Sequence, residues 1–171
     1  MTGTAYNVLF LCTGNSARSI LAEAILNREG KGRFHGFSAG SYPRGEVHPA
    51  ALALLDELSI PTDGLRSKSW DQFAQAGAPQ MDFIFTVCDS AAGETCPIWP
   101  GHPTTAHWGI EDPAKVEGQK QRQAFVTALT YLKARISLFM ALPLGDIAEM
   151  ALEAKLRAIG RSEGATSRVS I

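Results

Sequence analysis

Along the chain, short apolar runs of strand length alternate with stretches whose apolar residues recur every three or four positions, the pattern of a parallel sheet with crossover helices. YNVLFL, residues 6–11, is a buried-strand run, and Leu21, Ala24 and Ile25 then return at helical spacing with Glu23 and Asn27 on the other side. FHGFSAGS (34–41) predicts a second strand. Pro49 opens a helix with the stripe Ala51, Leu54, Leu55 and Leu58, and Pro61 closes it. Ser69-Trp70-Asp71-Gln72 has capping-box spacing for a short helix that stops near Gly77. DFIFTVC (82–88) is the next buried strand, and TTAHW (104–108) a less apolar fourth. Phe125, Ala128, Leu129, Leu132, Ile136 and Phe139 then form a helical stripe that covers one sheet face until Pro143 intervenes. Residues 146–159 predict a further helix with Ile147, Met150, Ala151 and Ala154 on its apolar side, and GRSEGATSRVSI reads as a disordered polar tail. No repeat and no internal linker interrupts this order.

Composition restricts the picture to one domain. The 171 residues are 45% hydrophobic, enough for one core and too few for two comfortable ones. Sixteen basic against seventeen acidic residues leave a net charge of -1, so nothing argues for nucleic acid or an anionic membrane as partner. Any preference for anions must be local. The first residues, MTGTAYNVLF, lack a basic n-region and a long apolar stretch, and no later segment approaches the ~20 apolar residues of a membrane span, so a cytoplasmic protein is expected. Three cysteines, Cys12, Cys88 and Cys96, make an odd set for a reducing compartment. Reactive or buried thiols are expected rather than a disulfide framework.

The candidate chemistry sits in LCTGNSARS, residues 11–19, directly after the first strand. That address is a strand-to-helix turn at the carboxyl edge of a parallel sheet, where open α/β folds bind ligands. Gly14 and Asn15 tolerate positive φ, and the small Thr13, Ser16 and Ala17 leave backbone N–H groups unshielded, so the loop can curl into an anion nest. The positive end of the following helix adds to the field, and Arg18 supplies a planar fork of donors for a tetrahedral oxyanion. Cys12 at the bottom of that nest is the expected nucleophile, its thiolate favoured by the N–H groups, by Arg18 and by the Ser19 hydroxyl, with a pKa expected below the free value of ~8.5. A cysteine followed after five residues by arginine is a weak pattern alone. Its alternative is a small buried cysteine capping a strand.

VLFLCTGNSARS resembles the phosphate-binding loop of the low-molecular-weight protein tyrosine phosphatases and of the arsenate reductases that share their fold. SAGS with VHP, GLRSKSWDQF, DFIFTVCDSAAGETCPIWPG and HWGIEDPA resemble the arsenate reductases more closely, and the likeness runs from about Tyr6 to Met140. It implies a phosphatase-like α/β domain over residues 1–142, a four-stranded parallel sheet flanked by helices, followed by a C-terminal helical extension and tail over 143–171. The Asp-Pro pair in EDPAK implies Asp112 as general acid, although the dipeptide alone reads as an ordinary turn. Glu111 beside it is expected to be solvated. Where the phosphatases carry tyrosines after that pair, this chain has Ala114 and Lys115.

The resemblance also implies a use for the other thiols. Cys12 would attack arsenate, and a second thiol would attack the Cys12 sulfur so that arsenite departs with two electrons. Cys88 is the choice for that second thiol and Cys96 for a third that carries the disulfide outward; by position alone either is core packing. The Cys88 to Cys96 stretch does not reproduce the thioredoxin-coupled pattern, so thioredoxin and glutathione with glutaredoxin both stand as transient external reductants. No bound cofactor is expected, and phosphate and sulfate are expected to compete with substrate. A phosphohydrolase is the second reading and a non-catalytic oxyanion or arsenite sensor the third. Cys96, His102 and His107 lack the close pairing of a structural zinc site. His48 reads as a helix-opening residue, and Trp70, Trp99 and Trp108 as packing.

Overall fold

The computed structural model describes residues 5–88 and 99–166. Four strands, β1 (Tyr6–Leu11), β2 (Phe34–Ala39), β3 (Phe83–Thr86) and β4 (Thr104–His107), form one parallel sheet in the order β2-β1-β3-β4. Both faces are covered at the centre of the sheet, so β1 and β3 read as continuous apolar runs, whereas the edge strand β4 is mostly polar and only partly buried. Val8 and Phe10 of β1 and Phe83 and Phe85 of β3 face the larger core with Trp108, Phe125 and Phe139, where Phe85 stacks on Trp108 at 3.8 Å between ring centroids. Leu9, Leu11 and Ile84 point the other way, against Trp70, Phe73 and Met81.

The helices are α1 (Arg18–Glu29), α2 (Pro49–Glu57), α3 (Asp71–Ala74), α4 (Gln121–Met140) and α5 (Glu149–Gly160). His48 opens α2 as expected: its Nδ1 accepts from Ala50 N at 3.0 Å, and its ring lies on Phe125. The capping box at Ser69 does not close. Ser69 Oγ accepts from Asp71 N, but the Gln72 side chain turns to Arg66 instead of back to the cap, and the helix lasts one turn. The second strand ends at Ala39 because Gly40 leaves β1 and pairs with Ser69.

Two expectations at the C-terminal end are corrected. Helix α5 buries Leu152, Leu156 and Ile159, not the stripe through Met150 and Ala151; Met150 is 83% exposed. What selects this face is β4: Trp108 Nε1 donates to Leu156 O at 3.0 Å, and Gly160 lies so close to His107 O that a Cβ would stand 2.2 Å from it. Nor is the whole polar tail free. Ala165 pairs antiparallel with Ile110, and Thr166 N donates to Gly109 O at 3.2 Å. Among the described residues no helix is long and apolar enough to cross a membrane.

Candidate active site

Residues 12–17 turn between β1 and α1, and the segment 40–48 holds that turn from outside. Tyr42 N donates to Thr13 O, Arg44 N and Ser67 Oγ to Gly14 O, and His48 N to Ser16 O, at 2.8–3.2 Å. With the carbonyls drawn outward, the N–H groups are left for the inside of the loop; none of those of Gly14, Asn15, Ser16 and Ala17 donates to a backbone carbonyl among the described residues. The positive φ falls on Asn15 (43°), not on Gly14. Asn15 is fully buried and fixes the turn by its side chain: Nδ2 donates to Ser19 Oγ (2.8 Å) and Ser38 Oγ (3.0 Å), and Oδ1 accepts from Lys68 N (2.8 Å). Ser19 therefore stands behind the loop.

A second layer lies beneath. Ser38 Oγ donates to Glu23 Oε1 at 2.5 Å, and Lys68 Nζ stands 3.7 Å from the same carboxylate while donating to Arg66 O. Burial raises the pKa of Glu23 and lowers that of Lys68, each opposed by the other's charge. Sequence reading missed this pair because Glu23 looks like the solvent side of an amphipathic helix; LRSKSW and SAGS held the signal, a lone lysine and a Ser-Ala-Gly facing the loop.

The loop encloses a cavity of about 290 Å³ with Cys12 at its base and Arg18, Cys88 and Asp112 in its wall. Thus four of the five expected catalytic residues meet at one place; Cys96 lies outside the described residues. Arg18 is held by Nη1 on Ile110 O at 2.8 Å and by Nη2 at 3.5 Å from Asp112 Oδ2, while its Nε is buried with no hydrogen-bond partner. Asp112 lies in the cavity wall, where Oδ1 caps the turn at Ala114 N (3.0 Å) and Oδ2 stands 3.5 Å from Arg18 Nη2. Tyr42, Arg44 and Lys115 complete the wall, so three cations surround a site on a nearly neutral chain.

Cys88 sits at the mouth of the loop. Its Sγ accepts from Thr13 N at 3.3 Å, lies 3.7 Å from Thr13 Oγ1, and shares a hydrogen bond with the Cys12 thiol. This contact corrects the expected acidity of Cys12. Its thiol is pushed well above the ordinary value, first by the hydrogen bond to Cys88, then by burial, with Arg18 pulling the other way. A charge on Cys12 would be buried and would lose the hydrogen bond that its thiol shares with Cys88, and this holds the proton on.

Of the three residues of the zinc alternative, His107 places Nδ1 2.7 Å from Thr86 Oγ1, and Cys96 lies outside the described residues.

The family pattern described as low molecular weight phosphotyrosine protein phosphatase matches residues 7–154. An arsenate reductase of Shouchella clausii is 34% identical over 134 residues, covering 77% of this chain and 93% of the relative. A solved arsenate reductase in the phosphate binding state is 28% identical with a TM-score of 0.66, covering 80% of this chain and 97% of the other. The low-molecular-weight tyrosine phosphatase of T. tengcongensis shares the fold at 23% identity and a TM-score of 0.63, covering 78% of this chain and 96% of the other.

Proposed function

Because the chain belongs to the low-molecular-weight phosphotyrosine protein phosphatase family, we propose that it works in the cytoplasm as a thiol-dependent arsenate reductase. The observation that carries this reading is the second sulfur: Cys88 is hydrogen-bonded both to Cys12 and to the anion loop. Phosphoester hydrolysis has no use for a thiol at that position.

In the proposed cycle arsenate occupies the loop, with the Gly14 to Ala17 N–H groups and the Arg18 fork on its oxygens, while the Thr13 N–H, expected from the sequence to join them, is held by Cys88 Sγ. The Cys12 thiolate attacks arsenic, a sulfur–arsenic bond forms, and Asp112 gives its proton to the departing hydroxide, which leaves as water. Cys88, as thiolate, then attacks the Cys12 sulfur. The sulfur–arsenic bond breaks with both electrons going to arsenic, so As(V) becomes As(III), arsenite leaves, and Cys12 and Cys88 are joined by a disulfide. Cys96 or an external thiol attacks Cys88 and frees Cys12. Thioredoxin, or glutathione with glutaredoxin, supplies the two electrons that restore the thiols.

The test is arsenate turnover with the two reductant systems supplied separately. In the Cys88→Ser, Cys96→Ser double variant no second sulfur remains to release Cys12, so the reading predicts no arsenite, not even one equivalent per protein, when no small thiol is present, whereas a phosphohydrolase would keep its phosphoester turnover. Arsenite release by that variant without small thiols would contradict the reading.

A further inference from the structure

Residues 163–166 lie beyond residue 154, where the family match ends, and yet they reach the catalytic loop. We propose that this C-terminal segment is a positioning strap for the general acid: it fixes Gly109–Glu111 and so sets where Asp112 stands. The proposal rests on the assignment of Asp112 as acid.

The loop from β4 to Asp112 is tied at successive points. Trp108 N donates to Thr86 O at 2.7 Å and Trp108 O accepts from the buried Arg135 at 3.1 Å. Ile110 N donates to Val87 O, and Ile110 O accepts the Arg18 guanidinium. The solvent side of Gly109 and Ile110 is closed by the strap through Thr166 N on Gly109 O and the antiparallel bridge of Ala165 with Ile110. Beyond Ile110 stand only Glu111 and then Asp112 before Pro113 starts a helical turn. Any freedom at Ile110 is therefore passed to the carboxyl that must protonate the leaving group, whereas Arg18, which donates to Ile110 O, is anchored separately as the first residue of α1. Thr166 also lines the cleft that contains Cys88, Arg18 and Asp112. The strap is seated by a glycine. Gly164 has φ +90°, and a Cβ there would stand 2.3 Å from the Tyr131 ring on α4. Only glycine lets the chain cross that ring at this distance.

Gly164→Val displaces the strap without touching a catalytic group, and Thr166→Pro, which removes the N–H donor to Gly109 O together with the Thr166 side chain, covers the case in which the first variant folds poorly. Each is expected to lower the kcat for arsenite release about 10- to 100-fold, the order of loss that misplacing a reacting group causes. KM for arsenate and inhibition by phosphate should stay within about twofold, since the anion loop is untouched. In an Asp112→Asn background neither substitution should lower kcat further, because the group being positioned is gone. Multiplying effects in that background, raised KM with unchanged kcat, or wild-type turnover in both variants would each overturn the strap. If the wild-type protein reduces no arsenate, the function reading fails but this one does not: the same comparison is made on p-nitrophenyl phosphate hydrolysis. Amide hydrogen exchange over 109–112, faster in both variants than in the parent, decides the matter without any activity; unchanged exchange there would contradict the proposal.

Discussion

Gly40→Ala probes how tightly the anion loop is held. A Cβ at residue 40 would stand 2.4 Å from Thr13 O, 2.6 Å from Cys12 O and 3.0 Å from Asn15 Cβ, where real contacts do not go below 3.0 Å. Loop and strand must part by about 0.6 Å, the gap between the 2.4 Å approach and that limit. The obstacle is backbone on both sides, so no side chain can swing away. The loop cannot yield alone either, because Thr13 O is held by Tyr42 N and Gly14 O by Arg44 N, each at 3.0 Å. Overpacking of this kind costs about 1–3 kcal/mol, which for a chain of this size lowers Tm by roughly 2–10 °C. The functional loss is larger. Donors must stand within ~2.7–3.1 Å of the developing charge, and losing one is worth about 10²-fold in rate, so a coordinated shift of several should cost kcat/KM about 10²-fold. Arsenite release against arsenate concentration, phosphate inhibition and a thermal melt measure the three effects. Gly145→Ala, with nothing within 4 Å of its Cβ, is the neutral control. A folded Gly40→Ala protein with kcat/KM and phosphate inhibition within twofold of the parent would refute the rigid-loop argument.

Asp112→Asn keeps the cap on Ala114 N and removes the proton, so single-turnover arsenite formation should slow about 10²-fold or more while phosphate still protects Cys12 from iodoacetamide. Cys88→Ser removes the thiol that raises Cys12, so Cys12 alkylation should move to lower pH; a profile unchanged from the parent would mean that Cys88 does not hold the Cys12 thiol up. Lys68→Met leaves Glu23 buried without its cation, a loss of about 3–5 kcal/mol by analogy with other broken buried pairs. The folded-state pKa of Glu23 is already raised and rises further in that variant. Stability is then full below the ordinary carboxylate range and falls as pH climbs through the folded value, which urea melts between pH 4 and 8 would record. Glu23→Gln in the same protein should flatten that slope.

The strands and the long helix were legible because both faces of the sheet are buried, so apolar runs and a helical stripe announced them directly. Cys12 and Arg18 were legible too, since their loop joins two readable elements. What the sequence concealed is tertiary. The face of α5 is chosen by Trp108 and His107, over forty residues away, and its local pattern offered Met150 with equal force. Asn15 rather than Gly14 takes the positive φ because Ser19, Ser38 and Lys68 converge on its side chain. The acidity of Cys12 was misread for the same reason: the loop and Arg18 are local to it, whereas Cys88 arrives from β3 and dominates.

In the proposed cycle Cys88 takes arsenic's place on the Cys12 sulfur, and the electron pair of the broken sulfur–arsenic bond leaves with arsenic. Rapid mixing of the fully reduced protein with excess arsenate, in the absence of any reductant, tests it directly by quantifying arsenite and mapping disulfides in the same sample. The account predicts a burst of one arsenite per protein that then stops, with Cys88 disulfide-bonded to Cys12 or Cys96, and no burst from Cys88→Ser. A full burst from Cys88→Ser, or a reduced, disulfide-free parent protein after arsenite has formed, would contradict it.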